Sequence, residues 1–356
     1  MAIDILREIH LVGGLRAIDS ENTVVEIGLP GTETLMTIER PEYVDLYNSL
    51  TELGLPIVGV NFYQFQEQIT GIARPDWLAS CSKTGRWAAR FRADSWANAK
   101  HALLKDGQTD GALIAGKVSE YLWLLEFRIL QLSQAYHHAL VDHVHLQRSG
   151  NKALGGLVDN AWLLEVDAAL HGFFVDAGSA ADLLAEACCQ FLESDLGEIR
   201  KLSRLLKQPD RLVGTLTNKL LNAAQPGGWL HAMTKIRNSI VHDQLLSGIG
   251  VFGGFEVRGA MLSNDAHIYY LHYPLVGESI HELFNRKKYD NLEDKKDFKD
   301  AIDQHLEDVK KSKDALETSQ YFLSELCIFF EELHHEAHLE SKPPTLTKDD
   351  ILRIDP

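Results

Sequence analysis

Apolar residues come in short β-rich runs at the start of the chain and in long helical runs after it. The segments T-V-V-E-I-G-L (23–29), L-M-T-I-E (35–39) and P-I-V-G-V-N-F-Y (56–63) predict strands, set apart by P-G-T and G-L-P turns. Y-V-D-L-Y-N-S-L-T-E-L (43–53) predicts a short helix ended by Gly54 and Pro56. From Pro75 to Gln108 the sequence is rich in Trp, Arg and Ala and has no clear period. A boundary between Gly107 and Asp110 separates a small mixed α/β region, 1–109, from a helical one, 110–345.

In the second region A-L-I-A-G-K-V-S-E-Y-L-W-L-L-E-F-R-I-L-Q-L (112–132) opens a helix expected to run to about Gln147, before S-G-N-K (149–152) breaks it. Two more helices are expected over 157–174 and 179–194, the latter continuing through basic turns to Lys207. Q-P-D (208–210) and Q-P-G-G (225–228) punctuate the next stretch, and Gly227 and Gly228 lead into a further helix. Two β-rich runs joined by S-N-D (263–265) predict a hairpin at about 252–273. A charged helical run then extends from about Glu293 to His338 and stops before P-P-T (343–345). The expected fold is mainly α, a helical bundle with a hairpin insertion behind a small α/β region. Trp123, Phe127, Trp162, Phe173 and Phe174 fall inside apolar helical runs and are expected in the core.

The chain is 45% hydrophobic and 24% charged, with a formal net charge of −16. That charge repels a polyanion at long range and argues against non-specific coating of nucleic acid. No run approaches the ~18 apolar residues of a membrane span. M-A-I-D-I-L-R-E-I-H does not read as a secretory signal. Cys81, Cys188, Cys189 and Cys327 form no C-x-x-C pair, so no disulfide framework is expected and a cytoplasmic setting is.

One stretch, K-I-R-N-S-I-V-H-D (235–243), sets Arg237, Asn238 and His242 inside an apolar helical pattern. Asn238 and His242 share a helix face, whereas Arg237 and His242 are about 140° apart. The long arginine must therefore wrap round, or a second surface must complete the groove, as a twofold dimer would. These residue types suit cleavage of an RNA phosphodiester. An imidazole near its ordinary pKa of ~6.5 moves protons to and from the 2′ and 5′ oxygens. A guanidinium forks onto the phosphoryl oxygens and stabilises their growing charge. Between Arg200 and Arg237 the cations Arg200, Lys201, Arg204, Lys207, Arg211, Lys219, Lys235 and Arg237 face the single acid Asp210. Such a patch in an acidic chain is a footprint for a phosphate backbone, or else a solvated basic face.

R-N-S-I-V-H resembles the R-x(4–6)-H motif of the HEPN superfamily, in which a polar residue, often Asn, follows the arginine. The resemblance implies a helical bundle with the motif late in it, and homodimers in which two motifs make one groove. It implies a metal-independent endoribonuclease of a toxin or antiviral-defence system, with Arg237 and His242 catalytic and Asn238 supporting them. No metal or other cofactor is expected. RNA would bind along Arg200, Lys201, Arg204, Lys207, Arg211 and Lys235, and a regulatory protein partner would control the activity. An acid on an earlier helix often joins the family's site, and Glu120 and Glu126 are its counterparts to weigh. The alternative is a non-catalytic HEPN-like scaffold binding a nucleotide or a partner protein. Residues 1–109 carry no resemblance. The histidine clusters Y-H-H-A-L-V-D-H-V-H (136–145) and E-L-H-H-E-A-H (332–338) hold potential ligands one turn apart, but read more simply as solvated helix ends.

Overall fold

A computed structural model describes residues 6–19, 24–28, 34–39, 43–69, 71–84, 86–148, 161–192, 199, 201–208, 215–242, 256–262, 265, 267–275, 299–300, 307, 311–340 and 342–343. The chain is mostly helical, with an antiparallel sheet built from its N-terminal segment. The strands are β1 (Leu6–Leu11), β2 (Arg16–Asp19), β3 (Val24–Gly28), β4 (Thr34–Glu39), β5 (Ile57–Tyr63) and β6 (Asp76–Ala79), in the order β4-β3-β2-β1-β5-β6. Helices α1 (Tyr43–Glu52) and α2 (Gln66–Ile69) flank β5 in sequence.

The stretch from Pro75 to Gln108 is more regular than its sequence pattern suggests. It forms β6 and then α3 (Arg90–Lys105), whose buried positions are Ala93, Trp96, Ala99 and Leu103. Two of those four are alanines, which add little to a hydropathy period. Strands β1 and β2 likewise lack a clear period, because Glu8, His10, Arg16 and Asp19 interrupt their apolar alternation.

Helix α4 (Thr109–Arg148) and helix α5 (Ala161–Phe191) run antiparallel, tied at three levels by Lys117–Glu186 (3.7 Å), Arg128–Asp176 (2.7 Å) and His138–Glu165 (3.9 Å). The expected break between 174 and 179 is absent: α5 continues through Asp176 and Gly178. Asp176 faces Arg128 there, and Gly178 faces a side chain of another helix. The expected run from 179 to Lys207 is broken instead. Lys201 is extended (φ −136°, ψ 130°) and a new short helix, α6 (Leu202–Leu205), begins where the Leu202 N–H donates to Asp182 Oδ1 at 3.0 Å. That bond folds the basic segment back onto α5.

Helices α7 (Thr215–Ala224) and α8 (Trp229–His242) follow, and the Gly228 carbonyl accepts the Ala232 N–H (3.0 Å) in the first turn of α8. The expected hairpin is present as β7 (Glu256–Met261) and β8 (His267–His272). The closing charged run is interrupted at Ser312–Asp314, and α9 (Ala315–Glu336) starts afresh with Asp314 as its N-cap. Asp314 leaves the helical path because its carboxylate is bonded to other elements, accepting from Tyr136 Oη (3.0 Å) and the Tyr273 N–H (2.9 Å).

One continuous buried cluster joins the sheet and the helices, running from Ile9 and Val60 through Trp96 and Leu125 to Phe174 and Phe330. The turn between β1 and β2 is wedged into it. Gly14 has φ +84°, and a Cβ there would stand 2.7 Å from the Tyr136 carbonyl oxygen, so only glycine lets α4 approach so closely. Among the aromatics expected in the core, Phe173 and Phe174 are fully buried, whereas Trp123 is 38% exposed and Phe127 and Trp162 are half-buried. No helix among the described residues is long and apolar enough to cross a membrane.

Candidate functional site

Helix α8 buries Leu230, Met233 and Ile240. Arg237 falls on the same stripe, since seven residues from Leu230 is close to two full turns. Its side chain crosses to α5 at Gly178, where a Cβ would meet Arg237 Nε at 2.9 Å. A glycine there opens the slot in which the arginine lies. From the slot the guanidinium bends back round its own helix, and Nη1 donates to Asn238 Oδ1 at 3.1 Å. Nε is buried and makes no hydrogen bond. The guanidinium thus turns round α8 as far as Asn238. Asn238 is exposed, one turn before His242, the last residue of α8.

The basic segment is brought to the same part of α5. Asp182, which holds the start of α6, is four residues from Gly178, or roughly 6 Å along one face of α5. Lys201, Arg204 and Lys207 are all exposed on and beside α6. Lys235 is half-buried on α8. Lys219 is committed elsewhere, its ammonium 2.7 Å from Glu332 of α9. Arg200, Arg211 and the side chain of His242 lie outside the described residues.

Of the two acids weighed for this site, Glu120 is exposed and Glu126 is buried. Glu126 does not serve Arg237. It lies about 200° round α4 from Arg128, which faces α5, and its Oε1 accepts the Ala79 N–H of β6 at 2.8 Å. Burial pushes its carboxyl up to about 7, against the pull of the Ala79 N–H and of Arg90.

The histidine clusters are used in packing. His137 Nδ1 lies 2.8 Å from the Gly14 carbonyl oxygen, and His138 lies tilted against Trp162 (centroids 4.5 Å apart). His334 is not a solvated helix end: it is buried edge-on to Trp96 at 5.3 Å. Among the described residues, no three His, Cys, Asp or Glu side chains form a group that could hold a metal ion.

A second polar constellation was not legible in sequence. Between the sheet and α4, buried Arg16 donates to the Ser133 carbonyl oxygen (3.0 Å) and faces Glu8 Oε1 (3.3 Å). Glu8 Oε2 accepts from Tyr63 Oη (2.8 Å) and Asn61 Nδ2 (3.1 Å). His10 contacts Ser133 Oγ through Nδ1 (3.0 Å). Burial opposes ionisation of Glu8, but His10, Arg16 and Asn61 together hold its carboxyl well below the usual range. Burial and the Arg16 charge push His10 down to about 3 and His137 to about 4. Glu8 and Arg16 are thus the charged pair and the histidines are neutral. The charges are mutually satisfied, so this layer clamps the sheet to α4.

That clamp sets an acid limit on the fold. Unfolded, both histidines bind a proton below their ordinary 6.5, whereas the folded forms resist until about 4 and about 3. The unfolded state binds more protons across that window, so stability falls as pH drops from 6.5 towards 4. The slope is at most about 1.4 kcal/mol per pH unit for each histidine. Urea unfolding of wild type and His137→Gln over that range checks it; parallel pH dependences would refute the assignment.

No family model, no curated protein and no solved structure matches this chain. The geometry around Arg237 therefore stands on its own. If the slot at Gly178 sets the pose of the arginine, Gly178→Ala leaves stability within about 1 kcal/mol, because helix propensity rises and only a flexible side chain must shift. Any phosphate chemistry at the site should fall by about ten- to a hundredfold, as expected for a displacement of about an ångström.

Proposed function

We propose that this chain is a metal-independent endoribonuclease of the HEPN type, acting as a homodimer in the cytoplasm. The observation that carries the reading is the pose of Arg237. Its guanidinium is steered through the Gly178 slot to Asn238, on the turn before His242, beside a basic turn anchored to the next turn of α5. On this reading the fork of N–H donors works together with His242, a residue type that moves protons near neutral pH.

In the mechanism this implies, the RNA backbone lies along Lys201, Arg204 and Lys207, and Arg237 takes the phosphoryl oxygens of the scissile group. His242 removes the 2′-hydroxyl proton, the 2′-oxygen attacks phosphorus, and the 5′-oxygen leaves with a proton from the imidazole of the second protomer. Negative charge on the phosphoryl oxygens grows against Arg237, which stabilises it more than the ground state. Asn238 holds the guanidinium in register. Such an activity fits a toxin or antiviral-defence effector kept silent until a regulatory protein releases it.

A second reading has its own support. With a net charge of −16, the chain offers acidic surfaces suited to a basic protein partner, and Arg237 Nη1 is already satisfied by Asn238. On that reading it is a scaffold. Incubation of the full chain with mixed cellular RNA in excess EDTA separates the two. The nuclease reading expects fragments ending in cyclic phosphates. Strict need for an added divalent ion, or fragments ending in free 3′-hydroxyls, would refute it.

A further inference from the structure

Helix α4 carries a surface feature that the cleavage reading does not use. Trp123 and Phe127 are successive-turn neighbours on α4, roughly 6 Å apart along its axis. Each has an arginine laid over its ring. Arg90, from the first turn of α3, has its guanidinium carbon 5.1 Å from the centre of Trp123. Arg74, from the loop before β6, stands 5.7 Å from the centre of Phe127. Among the described residues, neither guanidinium is in a salt bridge, although the Arg90 charge acts on the buried Glu126 carboxyl. Arg74 is exposed, whereas Arg90 is half-buried and its Nε is buried without a hydrogen-bond partner. In a chain with 51 acidic side chains against 35 basic ones, these two arginines are held over aromatic rings rather than in salt bridges.

We propose that Trp123, Phe127, Arg74 and Arg90 form a binding surface for unpaired nucleotides of an RNA strand. The rings and the guanidinium groups over them offer planar surfaces on which any base can stack, which makes such platforms tolerant of sequence. Arg74, exposed over its ring, offers N–H donors to the phosphates that join the stacked bases. A helical turn between platforms suits two bases splayed from a single strand rather than the tighter stack of a duplex. A protein-covering patch would ask for continuous aliphatic surface, whereas here the exposed ring of Trp123 and the half-buried ring of Phe127 each lie under a cation. The surface is independent of Arg237 and goes beyond the cleavage reading, since strand capture needs no chemistry.

The test uses the full chain carrying His242→Ala, so that any cleavage is silenced, and a short fluorescein-labelled oligouridine followed by anisotropy. A blunt RNA duplex of the same length is the comparison. The single strand should bind more tightly than the duplex. Trp123→Leu with Phe127→Leu should weaken it by about ten- to a hundredfold. Arg74→Gln with Arg90→Gln should lower the slope of log affinity against log salt by about 1.4, from about 0.7 for each cation lost. The arginine pair carries the test if the aromatic double variant fails to fold. Equal binding of strand and duplex, or unchanged affinity in the folded variants, overturns the proposal. So does a change in oligomeric state at constant RNA affinity, which would make the face a protein contact. Strand binding lost in these variants, in a protein whose wild type never cleaves RNA, would uphold this surface while rejecting the nuclease.

Discussion

His242→Ala is expected to reduce RNA cleavage by about a thousandfold, in the middle of the range for losing a positioned general acid–base. The ribonuclease reading asks one imidazole type to act at both ends of the reaction, so its loss cannot be offset by the remaining arginine. Arg237→Lys should be nearly as severe, about a hundredfold or more, although it keeps the charge. A lysine cannot fork onto two phosphoryl oxygens, nor reach Asn238 while lying in the Gly178 slot with a planar group. Asn238→Ala should act more mildly, since it frees the guanidinium without removing it. His242 ends α8, so its replacement should leave unfolding within about 0.5 kcal/mol of wild type. Full activity in His242→Ala would end the proposal, and equal losses of stability and cleavage would recast the residue as structural.

The parts of this molecule that were legible in sequence are those where apolar spacing alone decides the element. Helices α4 and α8, strand β5 and the β7–β8 hairpin fall where the pattern puts them. The pattern fails where polar groups are buried by pairing. L-R-E-I-H-L hides β1, since Glu8 and His10 face α4 and are satisfied by Arg16, Asn61 and Ser133, partners distant in the chain. It fails again where alanine fills the core stripe, as on α3. D-A-G-S suggests a helix end, yet α5 continues because Arg128 and Arg237 supply what those positions lack, a charge partner and a filling side chain. For the candidate site, spacing put Asn238 and His242 on one face and left Arg237 apart. The path of the arginine to Asn238 runs through a slot opened by Gly178, 59 positions before Arg237. Trp123 errs the other way: an apolar run cannot say which side of α4 stays uncovered.

Asp314→Ala should destabilise the fold by about 4 kcal/mol, against a total of about 5–15 kcal/mol for a typical domain. The residue is a single junction of three elements. One oxygen caps α9, accepting the Leu316 and Glu317 N–H groups at 2.9 and 3.1 Å. The other accepts Tyr136 Oη of α4 and the N–H of Tyr273, just past β8. Removing the carboxylate deletes a helix cap, worth about 1 kcal/mol. It also strands buried donors at Tyr273 and Tyr136, each costing about 1–3 kcal/mol. Burial pushes the Asp314 carboxyl up to about 6, even though the Tyr273 and Glu317 N–H groups and Tyr136 pull it down. The folded state therefore binds the proton more tightly than the unfolded one, with its value of 3.8, so this group's contribution declines as pH rises from 3.8 through 6. Its pH dependence has the opposite sign to that of His10 and His137. His272 adds no compensating charge. Its Nδ1 is 3.9 Å from Asp314, and burial together with Arg258 lowers its pKa to about 4, so it is neutral at pH 7. Asp314→Asn should lose less than the alanine variant. It keeps the cap oxygen, but sets an amide N–H₂ against the Tyr273 donor. Urea unfolding orders the three proteins, and hydrogen exchange at Tyr273 reports whether the hairpin loosens first. A loss under about 1 kcal/mol in Asp314→Ala would mean that water replaces the carboxylate and that the junction is not the lock inferred here.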